Sequence, residues 1–245
     1  MEQRSGNPAL SNGVLERVKD LESTKTATIS GTSFKILILL ALSIGSGFFG
    51  WQLMASSTTA SLLPLFGSSI VALGLAIATA FKPAWSPVTA PLYALAQGFV
   101  MGAISQVYNA QFDGIVVQAI GLTGAIFFVS LWAFWLGLIK VTARFRTGVI
   151  IATIGVGVYY LVALVLGLFG INAPLIYDTG TFGIIFSLII IFIATLNLML
   201  DFDLIQKAEE YKMPKVFEWY GAFALIVTLI WLYLEVLRLL SKTRS

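Results

Sequence analysis

The chain contains no cysteine and no histidine, and charged side chains make up only 11% of its 245 residues. Without those two residues there can be no disulfide, thiol chemistry, zinc site of the usual Cys/His type, or Ser-His or Cys-His nucleophile pair. Absence of cysteine leaves the redox compartment unread. The scarcity of charge excludes more. With 58% of residues hydrophobic, one soluble domain could not bury all the apolar surface, so the solvent for most of the chain is lipid. The net charge of +3 comes from Lys and Arg gathered beside apolar runs rather than along one face, which reads as an orientation signal and not as a nucleic-acid site.

What remains between the sparse charges is a series of oily segments. Residues 1–35 are polar, mixed in charge and rich in Ser and Thr, with no apolar run long enough for a signal-peptide core, and are expected to form a cytoplasmic tail. Seven apolar segments follow, at 36–55, 63–81, 88–110, 114–138, 148–170, 181–200 and 219–240, ahead of a short basic tail at 241–245. Each is close to the ~20 residues a helix needs to cross ~30 Å of hydrocarbon. Backbone exposed to lipid must satisfy its own hydrogen bonds, so the segments are expected to be helices. The fold class read from the sequence is an all-α polytopic membrane protein with a bundle of seven transmembrane helices over 36–240.

The loops alternate in charge. Those at 56–62, 111–113 and 171–180 carry no base, whereas the others carry Lys82, then Lys140, Arg144 and Arg146, then Lys207, Lys212 and Lys215. The positive-inside rule therefore places the N-terminus and the basic loops in the cytoplasm. Seven crossings conflict with the rule at one point, because they leave Arg238, Lys242 and Arg244 outside.

Small residues recur within the spans: Gly45, Gly47 and Gly50, then Gly98 and Gly102, then Gly155 and Gly157. Plain helix packing explains them, since in lipid small residues let backbones approach. Aromatic residues such as Trp132, Trp135, Tyr160 and Trp219 read as interfacial anchors and packing groups, and Pro83, Pro87 and Pro91 as setting the entry to the third helix.

Acids at the end of the sixth segment carry more information. "LNLMLDFDLI" (196–205) closes a run without charge from Thr179 onward and holds Asp201 and Asp203. Counted from Thr181, Asp201 lies about 30 Å along a helix, near the cytoplasmic boundary. Two acids there could simply end a helix in water. Asn197 lies four residues before Asp201 on the same face and carries polarity a turn deeper. The seventh segment offers partners. Glu218 stands at its start, within reach of Asp201 and Asp203, and Glu235 lies about 24 Å beyond Trp219, three residues from Arg238 and able to pair with it. Carboxylates at membrane depth are costly unless protonated, paired or hydrated, and are functional candidates by default. Two in one low-dielectric pocket would share a proton and sense pH as a coupled pair.

These residues resemble a known family. The third span "PLYALAQGFVMGAIS", the sixth ending in "LMLDFDLI" and the last, "FEWYGAFALIVTLIWLYLEVLRLL", are similar to the Bax inhibitor-like proteins (the transmembrane Bax inhibitor motif family), and to a bacterial branch in particular. The resemblance covers roughly 30–240. It implies a seven-helix Bax inhibitor-like bundle in a bacterial inner membrane. It also implies a pH-sensitive calcium leak gated by an acidic pair between the last two helices, with a basic residue at the end of the second span helping to hold the closed state. Carried over, the first acid is Asp201, with Asp203 as an extra carboxylate, and the basic residue is Lys82. The second acid has two solutions. Aligning Leu232–Glu235 with the family's Leu-Tyr-Leu-Asp makes it Glu235, whereas aligning Leu237–Arg238 with the terminal Leu-Arg puts Thr228 there.

The candidate gating residues are thus Asp201, Asp203, Glu218, Glu235 and Lys82, with Asp201 and Asp203 as weak calcium ligands. Calcium takes about six to eight oxygens, and these acids with Asn197 and backbone carbonyls form the best oxygen cluster near a span end. The expected partners are the lipid bilayer and calcium, with no resident cofactor and no enzymatic activity. Two other classes were weighed. An intramembrane aspartyl protease needs two acids that activate a water, and here no Gly-x-Gly-Asp element accompanies Asp201. A non-transporting scaffold or regulator of a stress response or membrane protease is compatible with every feature above.

Overall fold

The computed structural model describes residues 26–56, 62–170, 175–176 and 178–244, with side chains not described at Leu62. Its helices are α1 (Ile29–Ser56), α2 (Leu62–Phe81), α3 (Ser86–Gln111), α4 (Ile115–Trp135), α5 (Ala143–Leu168), α6 (Thr181–Glu210) and α7 (Val216–Arg244), with a 3₁₀ turn at Pro83–Trp85 before α3. All seven are long and apolar enough to cross a membrane, so the chain is a multi-pass all-α bundle. The end carrying residues 26–29 and the α2–α3, α4–α5 and α6–α7 connections is called proximal here, and the other end distal.

Five of the seven expected segments fall inside their helices, which extend further at one or both ends, while the fifth, expected to reach 170, ends as a helix at Leu168. The fourth, expected to reach 138, ends as a helix at Trp135. The N-terminal tail expected over 1–35 is shorter among the described residues, because α1 begins at Ile29. Its first turn is stabilised by partners that apolarity does not reveal. Thr28 Oγ1 accepts from Gly31 N at 3.0 Å, Glu209 Oε1 from Ile29 N at 3.0 Å, and Glu218 Oε1 from Thr28 N at 3.1 Å. Free N–H groups at a helix start favour such acceptors. Ala27 N also donates to Met213 O at 2.7 Å, tying the start of the chain to the α6–α7 turn.

At the other helix starts the same logic acts locally. Thr142 Oγ1 accepts from Phe145 N at 3.2 Å before α5, and the Asp178 carboxylate accepts from Gly180 N and Gly183 N before α6. Gly114, at φ +71°, makes the tight turn into α4, a backbone conformation that glycine adopts freely.

α7 is the central helix, packed against α6, α1, α3 and α4, while α2 lies outside on α3 and α5 outside on α6. It buries Leu225, Ile226, Leu232, Val236 and Leu237, and the outer helices present exposed apolar side chains, as surfaces solvated by lipid should.

The α7 helix runs unbroken to Arg244 and is long and apolar enough to cross in full, and the C-terminal bases on it have partners. Each base is engaged within the bundle. Arg238 pairs with Glu235, Lys242 donates to Leu175 O and Gly183 O, and Arg244 donates to Asp113 O and Gln118 Oε1.

The glycines divide into two groups. A Cβ on Gly102 would collide with Gly47 O, one on Gly98 with Ser43 O, and one on Gly50 with Phe99 O, so α1 and α3 touch backbone to backbone. Gly45, Gly155 and Gly157 have open space where a Cβ would stand, so packing within this chain does not account for them.

Candidate functional site

Two acids that are neighbours in sequence have opposite environments. Asp203 is held by two cations: Arg146 Nη2 from the start of α5 forms an ion pair with its Oδ2, and Lys207 Nζ, one turn along α6, reaches the same oxygen at 2.8 Å. Asp201 points elsewhere. The Thr228 hydroxyl of α7, which donates to Ala224 O at 3.2 Å, lies beside it, and Asp201 Oδ2 is buried without a partner. No described Lys or Arg forms an ion pair with it. A spacing of two residues turns side chains to well-separated directions on a helix, so one acid meets the basic α5 terminus and the other meets α7. Both lie within the unbroken α6, which continues to Glu210, so neither acid ends the helix.

Polarity continues distally from Asp201. Asn197 Nδ2 donates to Thr153 Oγ1 of α5 at 2.7 Å, bridging α5 and α6 one turn deeper. On α7, Thr228, Glu235 and Lys242 recur every seven residues and so share a face. Glu235 is 1% exposed. It accepts from Arg238 at 2.8 and 2.9 Å, from Tyr160 Oη at 2.6 Å and from Trp231 Nε1 at 3.2 Å, and Arg238 also donates to Tyr160. The buried Glu235 charge is tolerated because both of its oxygens accept from Arg238 Nη1 and one also accepts from Tyr160 and Trp231.

Glu218 belongs to a third centre. It forms an ion pair with Lys35 of α1 and accepts from Thr28 N and Thr28 Oγ1, while Lys35 Nζ stands 5.4 Å from the centre of the Trp219 ring. A Cβ on Gly31 would occupy the space of the Glu218 carboxylate, so that glycine makes room for it.

The five residues singled out from the sequence therefore lie in separate settings. Glu218 does not meet the Asp201/Asp203 end, because the α1 terminus captures it. Glu235 makes the Arg238 pair its spacing suggests and not a contact with Asp201. Measured from the proximal end at ~1.5 Å per residue, Asp201 lies about 14 Å deep and Glu235 about 28 Å. Lys82 is exposed, with Nζ 4.2 Å from the centre of the Trp85 ring, and pairs with no described acid. Among the described residues no three acids stand close enough to hold a metal ion, so the oxygen cluster expected around Asp201 and Asp203 is not assembled. Of the four bases that hold acids, Lys35, Arg146 and Lys207 were missed as partners. Only Lys207 left a signal, its i,i+4 spacing from Asp203.

A model of Bax inhibitor 1-like proteins matches residues 7–245. The chain belongs to that family. No curated protein and no solved structure matches it. In this Bax inhibitor 1-like chain the contact of Asp201 with Thr228 agrees with the alignment through Leu237–Arg238, which puts Thr228 at the family's second acid. The pair of acids that the resemblance implies is here an acid facing a hydroxyl.

Proposed function

We propose that this protein is a pH-sensitive calcium leak of a bacterial inner membrane, with the proximal end in the cytoplasm and Asp201 as the titrating group of the gate. The observation that carries this is the setting of Asp201, half-buried between α6 and α7 beside Thr228, with one carboxylate oxygen buried and unpartnered and no ion pair to a described Lys or Arg. Asp203, Glu218 and Glu235 each have a compensating base, so a proton added there must compete with a Lys or Arg. At Asp201 a proton changes the local charge and converts an acceptor into a donor, which alters what it can exchange with Thr228. That change falls on the interface of α6 and α7.

The choice of calcium rests on the family resemblance, and a line of polar side chains between helices supports it. Asp201, Thr228, Asn197 and Thr153 place oxygen-bearing side chains along the seam of α5, α6 and α7. One carboxylate with hydroxyls and an amide makes a weak site for a cation that takes about six to eight oxygens, which suits passage better than storage. Distally the seam is closed to cations by Arg238, held on Glu235 and Tyr160, and by buried Lys242. Conduction then requires α6 or α5 to move relative to α7. A single unpaired acid gives no general acid and base pair, so we assign no enzymatic activity.

The test is calcium flux into liposomes holding the purified protein, between about pH 8 and about pH 6. Acidification neutralises Asp201, and Asp201→Asn mimics that form. The expected result is flux in Asp201→Asn that stays at the native low-pH level across the range, while Asp203→Asn keeps a pH response. A native pH profile in Asp201→Asn would sink the gate. Absence of flux through the purified native protein would sink transport and favour a scaffold or regulator.

A further inference from the structure

At the proximal end lies a cleft of about 1200 Å³ between the start of α1, the end of α4, the 137–141 connection and the end of α6. It exceeds the roughly 300–1,000 Å³ of ordinary small-molecule pockets. One wall is apolar and turned outward: Phe128, Leu131, Trp132 and Trp135 of α4 line it, with Trp135 82% exposed. Tryptophans near a span end mark the level of the membrane interface. The other end is charged. Lys140, Asp203, Glu209 and Glu210 line it, and Arg146 and Lys207 stand on Asp203, so three bases and three acids meet at its mouth. Lys140 and Glu210 are exposed and have no side-chain partner among the described residues.

We infer that this cleft is a binding site for a phospholipid with a primary ammonium headgroup, of the phosphatidylethanolamine type. An apolar trough at interface level that ends in charge fits an amphiphile whose chains lie along α4 and whose headgroup lies beside the 137–141 connection. The mixed charge narrows the choice. Lys140 faces the phosphate, and the carboxylate of Glu210, with the outer oxygen of Glu209, accepts N–H bonds from the ammonium. A choline headgroup offers no N–H to those acceptors. A glycerol headgroup offers no cation, and its phosphate meets the acids uncompensated. The inference is independent of whether the protein conducts ions.

A benzophenone-bearing residue placed at position 131 or, as a bulk-lipid control, at lipid-exposed position 73 tests this by irradiation in bilayers of mixed ethanolamine, glycerol and choline phospholipids, with adducts identified by mass. The expected result is ethanolamine lipid enriched about threefold or more at position 131 over position 73, and enrichment that falls to about one in Glu210→Gln and Lys140→Gln. Adducts at 131 in the same proportions as at 73, adducts mainly to residues 1–25, or adducts to a second copy of the chain would each overturn it. The comparison of 131 with 73 holds on the otherwise native chain even where a charge variant fails to fold.

Discussion

The seam between α1 and α3 and the seam between α5, α6 and α7 solve the same problem in opposite ways. Where α1 meets α3, Gly47 lies against Gly98 and Gly102 and Gly50 against Phe99 and Ala103, and backbone touches backbone with only the Ser46 hydroxyl beside Gly98. Where α7 meets α5 and α6, polar side chains are set among the apolar ones, including the Glu235–Arg238 pair and the Asp201–Thr228 contact. Lipid gives no hydrophobic drive to bring helices together, so either close dispersion contact or polar bonding must hold them. The first solution depends on shape and has one arrangement. The second depends on protonation and partner choice, so it is the seam that can switch.

The difference can be broken at both seams. The largest effect is expected at the polar one. Glu235→Leu leaves the half-buried Arg238 charge without its carboxylate, which costs about 2–3 kcal/mol, less than the roughly 3–5 kcal/mol of a fully buried charge. A folding midpoint read by titration with a denaturing detergent should fall sharply, and restoring it with Arg238→Leu in the double variant would confirm that the stranded charge is the cause. A smaller cost, about 1–3 kcal/mol, is expected for Gly102→Ala, because overpacking here sets a methyl against a backbone carbonyl that no rotamer change can move. Unchanged stability in Gly102→Ala would mean that α1 and α3 can part, and the contrast between a fixed and a switchable seam would fail. The least effect is expected at Gly155→Ala, where the Cβ enters open space and helix propensity improves. It should stabilise by about 0.5–1 kcal/mol, and a loss of stability instead would reveal that α5 has a partner on that face.

Much of the bundle was legible because lipid solvation imposes one simple rule, a long apolar stretch without charge. That rule located all seven helices. It failed at their ends, where Ile29–Lys35 of α1 and Asp201–Glu210 of α6 are helical through caps and ion pairs made with distant residues. The site was legible in its acids and not in its pairings. Carboxylates stand out in a chain with so little charge, but a partner such as Arg146, 57 positions from Asp203, has no spacing that marks it.

By itself the sequence determined the environment of this protein, its seven helices and the few titratable groups placed among them, because each follows from the cost of putting charge or free backbone into hydrocarbon. The tertiary structure alone decided which of the four candidate acids is left without a base. Lys35 and Thr28 take Glu218, Arg146 and Lys207 take Asp203, and Arg238 takes Glu235. Asp201 is left facing Thr228, since which groups share a seam depends on how helices remote in sequence rotate and lean against α7.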